Sequence, residues 1–600
     1  MSKRFTSIIR LKLVRHTLGV LLILSGSYFA WKMYTHPLWG WWPLWMMLSF
    51  WVGGLCLLFP KQPNTIKWLG LSTLSGVMLG LGFPPSPLTW LVFLAWIPLF
   101  IMEADIFNQN QKAKPARVFL FSFNAFVFWN VIATFWVMNT AFFAGIAANY
   151  LNAAIMASVF TVIHVITRRF LPNFYPMVFI AFWISFEYLH HFWDISWPWL
   201  THGNALSEYP GAIQWYEYIG AFGGSLWVLA VNVTGYHLYR RRKNIPKVLV
   251  SAFCGLVLIP LLISWWIGRS TTEGSNTPVG IAIIQPNYEP HYEKFTIPER
   301  IQSKRFVDLS MEAIDSTTEY LVFPETSFDR IRLNAFRENP VINMCQSLVD
   351  SYPNLRLISG IASYRFLDKS ELEGTSYRVH VNAQGDTTYW DIQNAAMQLS
   401  SGEEDYSIYF KSKLVPGPEM FPFRKVLFFL EPLIDKLGGT QEGHTKQKTR
   451  DVFSGGSLSV APVICYESIY GDYTGGYVRN GANALFIVTN DGWWDNTPGH
   501  IQHLKLGTLR AIEHRRPIAR SANTGISCFI DIQGNILQPT QYGEATFVKG
   551  SMIPETRLTF YTRWGDLVAK LAVLLTAFFF VFILFRLVTR LFPAPSSDKE

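Results

Sequence analysis
Cysteine is scarce and unpatterned: Cys56, Cys254, Cys345, Cys465 and Cys528 form no CxxC pair and keep no regular spacing. That argues against both a zinc site and a disulfide framework. No motif calls for a metal or a nucleotide, so no cofactor is expected. Repeats and low-complexity tracts do not stand out either. Charge is thin, at 16% of residues against 50% hydrophobic, with mean hydropathy +0.19. A chain of 600 residues this apolar is neither one soluble domain nor a single core. A net charge of +9 would suit nucleic-acid binding, but the basic residues cluster between apolar runs. That pattern points to membrane orientation and to no nucleic-acid partner.

Apolar runs of about membrane-crossing length recur near 17–35, 39–60, 67–83, 88–104, 118–141, 147–167, 174–193, 221–239, 247–268 and 566–588. Phe83-Pro-Pro-Ser-Pro87 alone separates the third from the fourth, which predicts a tight helical hairpin. Basic residues mark alternate connections: Lys3, Arg4, Arg10, Lys12 and Arg15; Lys61 and Lys67; Lys112, Lys114 and Arg117; Arg168 and Arg169; Arg240 to Lys243 with Lys247; Arg586 and Arg590. The other connections are nearly free of Lys and Arg, and the stretch from His190 to Gly220 has none. Both termini are therefore expected in the cytoplasm, with residues 269–563 on the far side. The first run has a basic start, yet its length and the poor cleavage site at Phe29-Ala-Trp-Lys32 favour a retained span over a signal peptide. Trp193-Asp-Ile-Ser-Trp-Pro-Trp199 reads as an interfacial aromatic belt, with a lipid-entrance wall as the sharper alternative.

From residue 269 the composition shifts. Short β-branched runs (Val279–Gln285, Tyr320–Phe323, Leu355–Ser363, Tyr377–Asn382, Leu458–Cys465, Leu485–Thr489, Ala519–Ser521, Ser527–Ile532) predict strands. Ile297–Asp315, Val341–Ser351 and His500–His514 predict helices, and Gln533-Gly-Asn535 a hairpin turn. The mixture argues an α/β sandwich. The polar stretch Gly438–Arg450 reads as a loop.

Chemistry gathers at three points. Leu458–Ile464 ends at Cys465, followed by Tyr466 and Glu467; a nucleophile at a strand end suits attack on a carbonyl. A thiol is mostly protonated near neutral pH, so it needs a base and a cation. Phe323-Pro-Glu-Thr-Ser327 offers Glu325. Tyr409-Phe-Lys-Ser-Lys-Leu-Val-Pro-Gly-Pro-Glu419 offers Lys411, Lys413 and Glu419; on an extended chain both lysines would face one side. Taken singly, a strand-end Glu or loop Lys is usually solvated or paired, and a lone buried Cys usually core.

Together and in this order they resemble the Glu-Lys-Cys triad of the nitrilase superfamily. With a multispan bundle before and one span after, the chain resembles the apolipoprotein N-acyltransferase family. The matching points are Gly82-Phe-Pro-Pro85, Pro324-Glu-Thr-Ser327, Lys411 with Leu414-Val-Pro416 and Glu419, Ile464-Cys-Tyr-Glu467, Asn490-Asp491, Gln502-His503-Leu504 and Arg520-Ser-Ala-Asn-Thr-Gly525. The resemblance implies an α-helical multispan membrane bundle plus an extramembrane α/β nitrilase-like domain, an αββα sandwich. It implies helices over 1–268, a catalytic domain over 269–563, and a final helix with a short tail over 564–600. Glu325 would be the general base, Lys411 the oxyanion-stabilising cation and Cys465 the nucleophile. Glu419, Tyr466 and Glu467 would support the site or bind substrate. The expected reaction moves a fatty acyl chain from a membrane phospholipid, through a Cys465 thioester, to the α-amine of diacylglyceryl apolipoproteins. The enzyme would be a monomer in the bacterial inner membrane, with its catalytic domain periplasmic. A membrane-anchored amidase is the alternative. A transporter is disfavoured, because the spans offer few charges beyond Glu187 and Asp194. Two departures stand out. Gly417-Pro418 replaces the family's Phe-Gly, and a family tryptophan after Gln285-Pro-Asn287 lacks an equivalent, with Tyr288 or Tyr292 as substitutes. The two N-terminal spans are extra. The aromatic run Phe421–Leu430 is expected to be a lid arm at the bilayer surface, with a helix packed in the domain core as the alternative.

Overall fold
The computed structural model describes residues 2–59, 62–109, 115–272, 274, 276–294, 296–372, 376–382, 384–402, 406–424 and 443–591, and side chains from 13 to 589 within these. Most of the expected lid arm, 425–430, and the loop segment 438–442 lie outside the described residues.

Each apolar run forms a helix: Ser2–Thr35, Trp42–Leu58, Pro63–Leu81, Ile97–Gln109, Pro115–Thr134, Phe142–Arg169, Tyr175–Leu189, Tyr216–Arg240, Lys247–Ser270 and Leu567–Leu591. Among the described residues, seven helical segments are long and apolar enough to cross a membrane; the others are shorter or less apolar. The fourth run is not one straight helix, since a 3-10 turn at Thr89–Phe93 precedes Ile97–Gln109. The hairpin before it is tight: a Cβ on Gly82 would lie 2.3 Å from Val92 Cγ1, so only glycine fits there. Helix Pro115–Thr134 is buried along most of its length. Helices Lys247–Ser270 and Leu567–Leu591 instead turn Leu262, Trp265, Trp266, Leu574, Phe578 and Phe585 outward, an apolar surface that suits lipid contact.

The outer half is built on two sheets. The larger runs β13-β1-β2-β4-β6-β5, with β3 beside β4 and β7 beside β6. Its strands are β1 Val279–Gln285, β2 Thr318–Val322, β3 Phe328–Arg332, β4 Arg356–Leu367, β5 Arg378–Val381, β6 Thr387–Ser400, β7 Ser407–Phe410 and β13 Thr546–Met552. The smaller runs β12-β11-β10-β9-β8: β8 Val460–Ile464, β9 Ala484–Thr489, β10 Ile518–Ala522, β11 Cys528–Ile530 and β12 Ile536–Leu537. Both faces of the central strands are covered, which is why β1 and β9 read as unbroken apolar runs. Ile281, Ile283 and Tyr320 face the second sheet, while Ala282, Ile284 and Leu321 pack under helices Glu299–Ala313 and Pro340–Asp350. Helices Gly471–Arg479 and Pro498–His514 cover the smaller sheet. The order helix–sheet–sheet–helix is the expected sandwich.

The sandwich sits on the bundle through buried polar contacts. Arg515 Nε donates to Glu217 Oε2 at 2.7 Å, and Gln502 Nε2 donates to Pro84 O and Ala133 O at 2.7 and 2.9 Å. The loop between the first two helices also reaches it: Gly40 N donates to Asp495 Oδ2 at 2.9 Å. Asn139 Nδ2 spans Gly40 O and Trp494 O at 3.2 and 3.1 Å. The belt reading fails for Trp199. Only 6% exposed, it packs on Trp136, Trp494 and Tyr466, between bundle and sandwich.

Candidate active site
Strand β8 carries Cys465 at its end. It is an edge strand, so Pro462 costs the ladder nothing on its open side. The chain then turns sharply. Cys465 has φ +47°, in the left-handed region that a non-glycine residue enters only under constraint, and a 3-10 turn Cys465–Ile469 follows. The turn is held at the Cys465 carbonyl oxygen, which accepts from Ser468 Oγ at 2.7 Å and lies 3.1 Å from His503 Nε2. His503 Nδ1 lies 2.9 Å from Asp491 Oδ1, and Arg520 Nη2 donates to Asp491 Oδ2 at 2.5 Å. Against the cost of burial, Arg520 and His503 hold the Asp491 carboxyl far below the usual range.

Lys411 is the hinge of the charges. It follows β7, is 1% exposed, and its Nζ donates to Glu325 Oε1 at 2.9 Å and Glu419 Oε1 at 2.8 Å. Burial opposes its charge, but Glu325, Glu419 and Cys465 outweigh that and raise the ammonium well above the ordinary lysine range. Asn394 of β6 binds the same two oxygens, donating Nδ2 to Glu325 Oε1 at 2.8 Å and Glu419 Oε1 at 2.9 Å. Asn490 N donates to Glu325 Oε2 at 3.2 Å, and Val415 N to Glu419 Oε2 at 2.8 Å. Burial works against the Glu419 carboxylate too, and Lys411 with His444 overcomes it, so its pKa falls. Burial pushes the Cys465 thiol well up; Glu325 adds to this, while Lys411 and a hydrogen bond with Thr489 oppose it. Cys465 thus rests as a protonated thiol in the field of the Lys411 ammonium.

Gly360 sets how closely β4 passes Glu325. A Cβ there would lie 2.6 Å from Glu325 Cα, and its backbone bonds Pro324 O at 3.1 Å and Ser327 N at 2.8 Å. Glu467, fully buried, ties the Lys411 loop to β8. It accepts from Ser412 N at 2.7 Å, Ile464 N at 3.0 Å, and the hydroxyls of Tyr409, Tyr473 and Tyr477 at 2.8, 2.7 and 3.2 Å. Tyr466 turns away from the charges and donates to Ser196 O at 3.1 Å, fixing the turn to the loop below.

The six expected residues therefore fall in one region: Glu325, Lys411 and Glu419 touch, Cys465 shares their field, and Glu467 and Tyr466 brace it. Lys413 does not join them. β7 stops at Phe410, so the strand alternation that would align two lysines is lost. Its ammonium lies over the rings of Phe192 and Tyr470, 5.1 and 4.6 Å from their centroids, and the residue is half-buried. Burial and nearby Arg450 and Lys446 lower its pKa to about 8. Asn394, Gly360 and the roles of Asp491, His503 and Arg520 were not read from sequence.

Among known families, residues 75–234 match the apolipoprotein N-acyltransferase N-terminal domain and 374–552 match carbon-nitrogen hydrolase. A curated apolipoprotein N-acyltransferase from Chlorobaculum tepidum is 29% identical over 509 residues, 83% of this chain and 93% of that one. One from Geobacter metallireducens is 23% identical, over 83% and 92%. One from Azotobacter vinelandii is 26% identical, over 71% and 76%. Both halves of the chain are thus similar to apolipoprotein N-acyltransferases. The Gly417-Pro418 departure leaves Glu419 within reach of Lys411. Gly417 takes φ +96° with open space around it, Gly417 N bonds Met420 O at 2.8 Å, and Glu419 still reaches Lys411. Tyr288 is no substitute for the absent tryptophan, because it is 1% exposed and stacks under Arg305 at 4.2 Å. Tyr292, 46% exposed, remains at the surface.

Proposed function
We propose that the chain is an acyltransferase that N-acylates apolipoproteins by a ping-pong route through Cys465. Glu325 takes the Cys465 proton as the sulfur attacks an ester carbonyl of a membrane phospholipid. Lys411 stabilises the oxyanion. The tetrahedral intermediate collapses, the C–O bond breaks, and Glu325 returns the proton to the departing lysophospholipid alkoxide. The thioester left on Cys465 is then attacked by the free α-amine of an N-terminal S-diacylglyceryl-cysteine. Glu325 accepts the amine proton and the thiol is re-formed. Glu419 holds Lys411, and Tyr466 and Glu467 hold the loops that carry the nucleophile and the lysine.

The observation that carries this reading is the single ammonium bridging two buried carboxylates at 2.9 and 2.8 Å beside the cysteine turn. We assign residues 1–268 and 564–600 to the membrane part and 269–563 to a periplasmic catalytic domain of a monomer in a bacterial inner membrane; the loop-charge pattern supports that orientation. An amidase would use the same groups with water as acceptor. The products separate the two. Purified enzyme given phospholipid and an S-diacylglyceryl-cysteine peptide is expected to yield N-acylated peptide and lysophospholipid in equal amounts. Free fatty acid as the main acyl product would favour the hydrolase.

A further inference from the structure
A second lysine lies behind the base. Lys294 is 8% exposed, and its Nζ donates to Thr326 Oγ1 at 2.6 Å and to the Glu325 carbonyl oxygen at 3.5 Å. Both acceptors belong to the catalytic segment. No carboxylate pairs with it within salt-bridge distance among the described residues, although Glu325 and Asp329 act on it at longer range. A buried ammonium without a paired carboxylate is costly, and a fold that keeps one usually uses it. Burial lowers its pKa to about 8, against the pull of those two carboxylates.

The segment it grips is constrained. Thr326 has φ +46°, where a β-branched residue is strained, and Gly360 presses on the other side of Glu325. The Lys294 segment is itself fixed, since Gln302 Nε2 donates to Lys294 O at 2.6 Å and Lys294 N donates to Glu289 O at 3.0 Å.

We propose that Lys294 is a positioning residue for the general base. It locks the Glu325–Thr326 turn through the threonine hydroxyl and the Glu325 carbonyl, and supplies the second positive charge that keeps the Glu325 carboxylate ready to take the thiol proton. This rests on the reaction proposed above. The groups facing Glu325 are Lys411, Glu419, Cys465 and, at longer range, His444, with Asn394 and the Asn490 N–H as neutral donors; Asp329 lies on the Lys294 side.

The test is single-turnover acylation of Cys465 by phospholipid, followed by intact-protein mass spectrometry from pH 5 to 9, in wild type, Lys294→Gln, Lys294→Arg and Thr326→Ala. In Lys294→Gln the maximal rate is expected to fall about tenfold or more, and the acidic half-rate pH to rise by about one unit. Lys294→Arg should keep the wild-type half-rate pH, and half-saturation by lipid should change little in either. Thr326→Ala, which keeps the charge, should slow the step without moving the half-rate pH. A Lys294→Gln profile superimposable in pH on wild type, or an equal shift in Lys294→Arg, would overturn the proposal. If Lys294→Gln does not fold, a half-rate pH in Lys294→Arg that differs from wild type overturns it alone. Wild type that forms no adduct would instead refute the thioester reaction itself.

Discussion

Replacing Glu467 by Gln tests how the site is held without touching a reacting atom. The carboxylate accepts on Oε1 from Ser412 N, Tyr409 and Tyr473, and on Oε2 from Ile464 N and Tyr477. An amide keeps one oxygen. With that oxygen in the crowded Oε1 position, the new NH2 faces the Ile464 N–H and the Tyr477 hydroxyl. The hydroxyl can rotate to accept, whereas the N–H cannot. One buried backbone donor is then unsatisfied, at about 1–3 kcal/mol, and the remaining bonds lose their charge assistance, at roughly 1–2 kcal/mol more. A total of about 2–5 kcal/mol corresponds to a fall of roughly 5–15 °C in the unfolding midpoint of the outer domain. Because Ile464 and Ser412 flank Cys465 and Lys411, acylation should slow by about tenfold or more even below that midpoint. The assay is thermal unfolding in detergent alongside single-turnover acylation. An unchanged midpoint together with an unchanged rate would refute the bracing role.

Glu419→Ala removes one of the two carboxylates on Lys411 and the acceptor for Val415 N; acylation is expected to fall at least a hundredfold, at about 3 kcal/mol, with the protein still membrane-inserted, as measured by adduct mass. Full activity would mean the loop with Gly417-Pro418 is not part of the site. Asp495→Ala frees the Gly40 N–H from the turn whose neighbour Asn490 donates to Glu325, so acylation should slow a few-fold; an unchanged rate would make the N-terminal hairpin a bystander. Burial raises the Glu513 carboxyl to about 7, opposed by Arg510. The folded state then holds a proton between about pH 4.5 and 7 that the unfolded chain has released, so stability falls as pH rises through that window, by ~3 kcal/mol. Glu513→Gln should flatten that part of the unfolding profile, and parallel profiles would contradict the assignment.

The parts of the site carried by apolar runs were legible. Leu458–Ile464 reads as a buried strand because both faces of β8 are covered, and Cys465 falls at its end. β6 was not legible: Gln393, Asn394 and Gln398 are buried polar residues inside it, so its pattern lacks the apolar alternation that marks a strand, and Asn394 went unnoticed with it. Helix Gly471–Arg479 hid behind three glycines. Trp199 resembles an interfacial tryptophan in sequence, and only the docking of the sandwich shows it enclosed. Lys411 and Lys413 were separable by family offset but not by periodicity, because the strand ends one residue before the first of them. Lys294 gave no sequence signal, since its partners are a hydroxyl and a carbonyl from a segment about thirty residues away.

The central claim is that Cys465 carries the acyl group. Wild type incubated with phospholipid and no peptide acceptor should gain the mass of one fatty acyl chain. Proteolysis should locate it on the peptide containing Cys465, neutral hydroxylamine should remove it, and Cys465→Ala should gain nothing. An adduct on Cys345 or Cys528, both buried in the core of the sandwich, or an active Cys465→Ala enzyme, would contradict the account.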